Sequence, residues 1–357
     1  MKRFLAISAI AALAGMQGPV LAQIPDGYTP SYAQTVDAAG MEGVVTIYTT
    51  TDKTEAADLL AGFHAQRPNI RVDYDELNST ELYDRFLAEA AADKGAGDLV
   101  WSSAMDQQIK LVNDGYAATY ASPEAVRLPQ WAVWKYQGYG VTAEPVAIAY
   151  NKGLLPAAEI PETHTDLARL LAGNPETLKG KVATYDPERS AVGLLFITQD
   201  VEVTKSTWDL VRALGEVDTK LYSTTSTMLD RIVAGDQLIA YNLIGSYAFE
   251  RAKQEASLGV VLPTDYTIVM SRIAFIPKGA PHPNAARLFL DYLLSREGQM
   301  RLAARSLGSV RDDVPANAIE HESFFRPIRV GPELLTYLDQ AKRNRFLKEW
   351  RRALEIH

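Results

Sequence analysis

Cysteine is absent from this chain of 357 residues. Disulfide bonds, thiol chemistry and cysteine-ligated zinc are therefore excluded. The five histidines are scattered, without the His-x-His or His-Glu-x-x-His spacing of a metal site, and neither a Gly-x-Ser-x-Gly elbow nor a Ser-x-x-Lys motif occurs. We therefore predict no catalytic residues, no cofactor and no resident metal. A hydrolase that works with a pair of carboxylates stays open as an alternative, because such a pair is recognised only by its geometry.

The chain also lacks an apolar run of the roughly 20 residues that a membrane-spanning helix needs. Its marked apolar stretch, residues 4–13, follows Lys2 and Arg3 and precedes the sequence VLA at residues 20–22. A basic start, a short apolar region and small residues before a cleavage point are typical of a signal peptide. We interpret residues 1–22 as that signal peptide, and we expect a periplasmic protein without stable membrane insertion.

Basic residues are in the minority, since 36 Lys and Arg stand against 44 Asp and Glu, for a formal net charge of −8. An excess of negative charge disfavours nucleic acid and anionic lipid as partners. Internal repeats and low-complexity segments are absent as well, which argues against a purely structural protein.

What the chain does contain is a repeated order of strand, hydroxyl-rich turn and helix. Runs rich in β-formers at residues 44–48, 70–74 and 98–101 are each followed by a polar turn and a helical pattern. This order is typical of a mostly parallel sheet with helices on its faces, in which the turns after the strands share one edge. The pattern predicts an α/β fold that binds its ligand at that edge.

The length of the chain and a second series of strands and helices predict two lobes. The chain changes register near residues 140–145 and returns to the first lobe near residues 270–277. Two crossings of this kind form a hinge that can close over a ligand. The predicted parts are a leader at 23–43, a first lobe at 44–142 and 276–357, and a second lobe at 143–275.

Four segments in this order carry a resemblance that covers nearly all of the chain after residue 22. They are residues 45–50 (VTIYTT), 97–102 (GDLVWS), 234–242 (AGDQLIAYN) and 276–286 (IPKGAPHPNAA). The chain resembles the periplasmic substrate-binding proteins of ABC importers, in the branch that contains ferric-iron, sugar-phosphate, phosphoglycerate and phosphonate binders. The resemblance implies a type II fold with the solute between the lobes and an inner-membrane permease as partner. We expect a monomer.

Residues 242–247 (NLIGSY) bear on the kind of solute. Ferric-binding relatives place two adjacent tyrosines after a strand and an asparagine, whereas here Ser246 stands in the place of one phenolate. A neutral hydroxyl is a poor ligand for a hard ferric ion. The Gly-Ser-Tyr segment is similar to that of relatives that bind sugar phosphates and phosphoglycerates, and Gly245 permits a close approach of backbone to an anion. We therefore expect a small anionic organic solute, phosphorylated or carboxylated, with ferric iron as the alternative.

The predicted contacts with this solute are hydroxyls, tyrosines, a glycine and an arginine at turns that follow strands. They are Thr50, Thr51, Ser79, Thr80, Ser102, Ser103, Arg189, Ser190, Thr225, Ser226, Tyr241, Gly245, Ser246 and Tyr247. Serine and threonine at such positions also cap helices, and the two roles are compatible. Three alternatives stay open: the tyrosines pack in the core, Arg189 pairs with a surface carboxylate instead of the anion, and Arg272 forms an ion pair at the hinge.

Overall fold

A computed structural model describes residues 25, 27–92, 95, 97–314 and 323–355. The predicted signal peptide, residues 1–22, lies outside these described residues. The strands are β1 Val44–Thr49, β2 Arg71–Glu76, β3 Leu99–Ser102, β4 Val133–Trp134, β5 Gly138–Gly140, β6 Glu144–Asn151, β7 Val182–Tyr185, β8 Lys220–Tyr222, β9 Ile239–Ile244, β10 Leu258–Val261, β11 Thr267–Met270, β12 Ile273–Phe275 and β13 Phe325–Pro327.

Helices connect most of these strands. The α-helices are α1 Tyr32–Glu42, α2 Lys53–Gln66, α3 Ser79–Ala91, α4 Met105–Asn113, α5 His164–Gly173, α6 Pro175–Leu178, α7 Ala191–Val203, α8 Thr207–Glu216, α9 Thr225–Val233, α10 Gly245–Gln254, α11 Pro283–Leu294, α12 Arg296–Ala304 and α13 Gln340–Leu354. Short 3-10 helices occur at Pro123–Arg127, Gln130–Ala132, Ala157–Glu159 and Pro332–Leu338.

The strands form two sheets, one in each lobe. In the first lobe the order is β2-β1-β3-β12-β5-β4, with β1 parallel to both of its neighbours and β12 antiparallel to β3. In the second lobe the order is β13-β11-β6-β9-β7-β8, with β10 paired to β6. The predicted α/β fold with two lobes, each a sheet flanked by helices, is confirmed. The prediction that each sheet is mostly parallel is wrong: among the described strands five pairings are parallel and six are antiparallel, because the strands next to the crossings between lobes run against their neighbours.

Central strands of both sheets are buried on both faces because helices cover each side. Every residue of β3 and every residue of β9 is buried. Separate apolar clusters form around the two sheets, with Trp101 and Phe289 in the first lobe and Phe196 and Leu243 in the second. Each lobe therefore has a core around its own sheet, and the second-lobe cluster also includes Met105, Ile109 and Ile273 from the first lobe, so apolar side chains pack between the lobes as well.

Among the described strands and helices the chain passes from one lobe to the other three times, once more than predicted. The first crossing lies between Gly140 and Glu144 and the second between Met270 and Ile273, as the sequence pattern indicated. The third follows α12, because β13 pairs with β11 of the second sheet. Helix α13 then packs Phe346 and other apolar side chains into the core of the second lobe. The prediction that all of residues 276–357 belong to the first lobe is therefore wrong, since residues 325–354 belong to the second lobe.

The predicted leader contains a helix, α1, which packs on α11 in the first lobe. The hydroxyl of Tyr32 donates a 2.6 Å hydrogen bond to Asp291, whose carboxylate also accepts hydrogen bonds of 2.6 Å from Tyr120 and Ser122. Burial raises the pKa of Asp291 to about 6, although the three hydroxyl donors offset part of the effect. This buried carboxylate ties α1 to the body of the lobe.

Substituting Asp291→Asn gives a test of this buried carboxylate. In the folded state the pKa of about 6 exceeds the value of about 3.9 expected in the unfolded chain, so folding takes up a proton between these pH values. The stability that Asp291 contributes therefore falls as pH rises through this window. We expect the loss of unfolding free energy caused by Asp291→Asn to be about 1 kcal/mol larger at pH 5 than at pH 7. Urea unfolding of both proteins at both pH values measures it, and equal losses would contradict the assignment.

Candidate ligand-binding cleft

A cavity of about 330 Å³ lies between the lobes. The first lobe lines it with the turns that follow β1, β2 and β3, and the second lobe with the turns that follow β7 and β8 and with the start of α10. Seven of the predicted contacts line this cavity: Thr50, Ser79, Ser103, Ser190, Thr225, Ser226 and Tyr247. The structure thus brings together hydroxyls that lie far apart in the sequence, because the carboxyl edges of the two sheets face each other.

A second cavity, of about 760 Å³, adjoins the first and shares Ser79 and Ser190 with it. Thr80 and Arg189 line this outer cavity rather than the inner one. The side chain of Arg189 is 83% exposed and lies 3.6 Å from the carboxylate of Asp186. This contact corresponds to the surface ion pair that was one of the two expectations for Arg189.

Two predicted hydroxyls, those of Thr51 and Ser102, lie behind the cavity wall. The Thr51 hydroxyl accepts a hydrogen bond of 3.2 Å from Arg272, and the Ser102 hydroxyl accepts one of 3.1 Å from the backbone N–H of Ala104. Both side chains are buried and hold their own turns in place.

Gly245 and Ser246 also lie behind the wall, at the start of α10. A Cβ atom on Gly245 would come within 2.4 Å of the carbonyl oxygen of Pro145, so glycine is needed there for contact with a neighbouring strand. The Ser246 hydroxyl donates a 2.5 Å hydrogen bond to the buried carboxylate of Glu144. We predicted that Gly245 lets backbone approach an anion and that Ser246 donates a hydrogen bond to it. In the structure both residues instead make contacts within the protein.

Tyr241 lies in the core of the second lobe, away from both cavities, with 1% of its surface exposed. Its hydroxyl donates a 2.5 Å hydrogen bond to Asp200, which also accepts one of 2.7 Å from the side chain of Asn242. Burial raises the pKa of Tyr241 well above its ordinary value, so the phenol keeps its proton. Of the two uses considered for this tyrosine, the structure shows core packing.

Several lining hydroxyls already accept hydrogen bonds from backbone N–H groups. Ser190 caps α7 by accepting a bond of 3.1 Å from Gly193, and Thr225 accepts one of 3.1 Å from Ile244. The hydroxyl of Thr50 accepts a bond of 2.9 Å from the N–H of Ser103. A hydroxyl that accepts from the backbone still has its own proton to donate, so capping and ligand contact can coincide.

Tyr247 joins the lobes across the cavity. Its hydroxyl donates a 2.9 Å hydrogen bond to the carboxylate of Asp52, and the N–H of Asp52 donates one of 3.4 Å back to the tyrosine oxygen. Burial raises the pKa of Tyr247, which keeps the phenol protonated. The second lobe therefore contacts the start of α2 in the first lobe directly.

The charged side chains in the lining of the inner cavity are the carboxylates of Asp52, Glu76 and Glu81, which the sequence analysis missed as site residues. Within the described part of the chain none of the three forms an ion pair, and no lysine or arginine lines this cavity. Glu76 is the last residue of β2, and Asp52 precedes α2. The positions of Asp52 and Glu76 at strand ends, the same signal that pointed to the hydroxyls, would have found these two, whereas Glu81 lies in the first turn of α3 as part of a capping box with Asn78.

The ranges of the chain that the structure describes contain no group of three or more histidine, aspartate or glutamate side chains that could hold a metal ion. Over the same ranges, no helix is both long enough and apolar enough to cross a membrane.

Comparison with known proteins places the chain in a family. Residues 58–323 match the family of bacterial extracellular solute-binding proteins. A similar solved structure is the substrate-binding protein of an ABC transporter from Agrobacterium tumefaciens, with 37% identity over 87% of this chain and 94% of that one and a TM-score of 0.83. The chain belongs to the bacterial extracellular solute-binding proteins of ABC transporters, which confirms the resemblance read from the sequence.

More distant relatives share the fold. Iron-bound HitA from Pseudomonas aeruginosa is 17% identical with a TM-score of 0.66, and AfuA from Actinobacillus pleuropneumoniae, solved with fructose-6-phosphate, is 18% identical with a TM-score of 0.68. The alignments cover 87% and 88% of this chain, and 99% of each of those chains. A protein of Haemophilus influenzae is 27% identical over 164 residues, so the match spans 45% of this chain and less than half, 44%, of that protein.

Substituting Ser190→Ala gives a test of the capping geometry. The variant loses the side-chain acceptor for the N–H of Gly193, so we expect the free energy of unfolding to fall by about 1 kcal/mol. Ser226→Ala is the matched control, because Ser226 lines the same cavity and is exposed. Urea unfolding should show a loss for Ser190→Ala and little change for Ser226→Ala; equal effects would contradict the capping role.

Proposed function

We propose that this protein captures a small organic solute with an acidic group in the inner cavity and delivers it to the permease of an ABC importer. Membership of the solute-binding family supports capture and delivery. The observation that carries the choice of solute is the set of hydroxyls that both lobes direct to one cavity. Thr50, Ser79 and Ser103 come from the first lobe, and Ser190, Thr225 and Ser226 come from the second.

Helix N-termini support the same choice. The beginning of α3 at Ser79 lines the cavity, but Asn78 and Glu81 form a capping box there, with the Glu81 carboxylate at the helix N-terminus. The lining also includes the cap of α7 at Ser190 and the beginning of α9 at Thr225. Unpaired backbone N–H groups and the positive end of the helix dipole favour an anion there. A carboxylate or a phosphate can be held in this way without a cationic side chain.

The three carboxylates of the inner cavity favour a second candidate, a solute that also carries an ammonium group. Asp52, Glu76 and Glu81 bring negative charge to the lining, and no cationic side chain of the described residues balances it there. A solute with several negative charges would be repelled by this wall, whereas a zwitterion could place its acidic end at the helix N-termini and its amine beside the carboxylates.

Ferric iron remains the alternative to an organic solute, and the described residues give it less support. HitA is an iron-bound relative, but at 17% identity the likeness carries the fold alone. A ferric ion favours several charged oxygen donors, and here Tyr247 is a protonated phenol that already donates to Asp52. We also propose that the protein acts without catalysis, as the relatives are binding proteins, and that it works as a periplasmic monomer after removal of its signal peptide.

A thermal-shift screen tests the proposed class of solute. The panel contains sugar phosphates, phosphoglycerates, aminophosphonates, amino acids, simple carboxylates and ferric citrate. A solute at 100 times its Kd stabilises the folded state by about 2.7 kcal/mol, which raises the melting temperature by several degrees. We expect a rise with an organic acid. A rise with ferric citrate alone, together with a coloured phenolate complex, would establish iron instead, and turnover of a compound would establish an enzyme.

Replacing both Glu76 and Glu81 by Gln tests the acidic wall. If the solute is a zwitterion, we expect the double variant to bind it about tenfold more weakly and to bind the matching amine-free acid more tightly, because the carboxylates attract the amine and repel the acid. Isothermal titration with the pair of compounds measures both changes. Asp84→Asn is the control, since Asp84 is exposed and lines only the outer cavity. Weaker binding of both compounds to the double variant would contradict the charge argument.

A further inference from the structure

A buried ion pair lies where the first two crossings meet. The guanidinium of Arg272 contacts the carboxylate of Glu144 through two bonds, of 2.9 Å from Nε and 3.1 Å from Nη2. Both side chains are fully buried. Thr142 completes the junction: its hydroxyl donates to Glu144 at 2.7 Å and accepts from the N–H of Arg272 at 2.8 Å. One crossing is therefore joined to the other by charge and by hydrogen bonds.

The pair also reaches both walls of the inner cavity. On the side of the first lobe, Nη1 of Arg272 donates to the carbonyl oxygen of Thr50 at 3.1 Å and to the hydroxyl of Thr51 at 3.2 Å. On the side of the second lobe, the carboxylate of Glu144 accepts the hydroxyl of Ser246 at 2.5 Å. Thr50 lines the cavity, and Ser246 directly precedes a lining residue, Tyr247.

These bonds form a closed ring. From Thr50 the ring passes through Arg272, Glu144 and Ser246 to Tyr247, and the bond from Tyr247 to Asp52 returns it to the turn after β1. The Arg272 guanidinium also lies 5.4 Å from the centre of the Tyr247 ring, within the range of a cation–π contact. Opening of the cleft must break this ring or deform it.

Arg272 keeps its charge in this setting. Burial alone would lower the pKa of Arg272, but the neighbouring Glu144 carboxylate raises it. Arginine suits the position because its planar fork bonds Glu144 on one edge and the turn after β1 on the other, which a lysine could not do. The guanidinium of Arg272 bonds Thr50, Thr51 and Glu144 and contacts Tyr247. The backbone of Arg272 bonds Val141, Thr142 and Ser271.

We infer that the Arg272–Glu144 pair is a positioning device that holds the two walls of the cavity in register and sets how readily the lobes open, although neither residue lines the cavity. This inference deepens the proposed function and rests on it only for the identity of the cavity. A merely structural ion pair would contribute to stability without affecting the distance between the lobes. A positioning pair affects that distance well below the melting temperature.

The distance between the lobes can be measured without any solute. Because the chain has no native cysteine, Asp84→Cys on α3 and Gln254→Cys on α10 introduce the two thiols needed for spin labels, both at exposed positions. Double electron–electron resonance on the solute-free, labelled protein gives the distribution of distances. We expect Glu144→Gln to raise the ratio of open to closed molecules by roughly 5- to 150-fold, the usual range for coupling between two sites.

Glu124→Gln is the matched control in the same labelled background. Glu124 also pairs with a buried arginine, Arg311, but both residues belong to the first lobe. We expect this variant to lower the melting temperature and to leave the distance distribution unchanged. Ser246→Ala and Thr51→Val, which each remove one bond to the pair, should give smaller shifts in the same direction and keep the test available if Glu144→Gln does not fold.

An unchanged distribution in the folded members of this set, or an equal shift in Glu124→Gln, would overturn the inference. Either result would leave the proposed solute class intact, since no solute enters the measurement. Conversely, a failed solute screen would leave the measured distance change standing.

Discussion

A buried guanidinium needs a buried negative charge beside it, and in this protein that requirement determines where the two lobes are joined. Removing one partner of such a pair typically costs about 3–5 kcal/mol, since the other charge is left unpaired away from water. Here the partners Arg272 and Glu144 lie on different crossing segments, so the requirement to pair them joins the two lobes at one point. The position of the cavity walls follows from that junction, because the same two side chains bond the turn after β1 and the start of α10.

The turns at the cleft serve two purposes with the same groups. Ser190 satisfies a backbone N–H at the start of α7 and lines the cavity, and Thr225 does the same for Ile244 beside α10. A helix start needs acceptors for its unpaired N–H groups, and an anion needs donors. Hydroxyls meet both needs because they accept and donate at once. The lining therefore combines hydroxyls and helix N-termini, which the proposed acidic solute would contact, with the negative charges of Asp52, Glu76 and Glu81.

The sequence predicted which edge of the sheets forms the cavity better than it predicted which individual side chains line it. Thr50, Ser103 and Ser190 reached the cavity because each follows a strand that runs toward it, and this depends only on the order of strands and turns. Tyr241 and Ser246 lie near the end of a strand too, but whether such a residue faces the core or the cleft depends on strand register and on neighbours such as Asp200 and Glu144.

The sequence pattern also did not predict which lobe α13 packs on or that β13 pairs with β11. The apolar residues Phe346, Leu347 and Trp350 recur at the spacing of an amphipathic helix, and they lie on α13, but this spacing holds no information about which lobe covers them. The pairing of β13 with β11, which directs the chain to the second lobe, is a contact between distant segments. Gly245 was predicted to bring backbone close to an anion, whereas the group it approaches in the structure is the Pro145 carbonyl.

The third crossing has a practical consequence. Because α1 packs on the first lobe and α13 on the second, groups attached to these two helices move with different lobes. A donor dye on one and an acceptor dye on the other would convert rotation at the hinge into a change of energy transfer, and no native thiol would compete for the dyes. The positions of α1 and α13 therefore suit a fluorescent sensor of movement between the lobes.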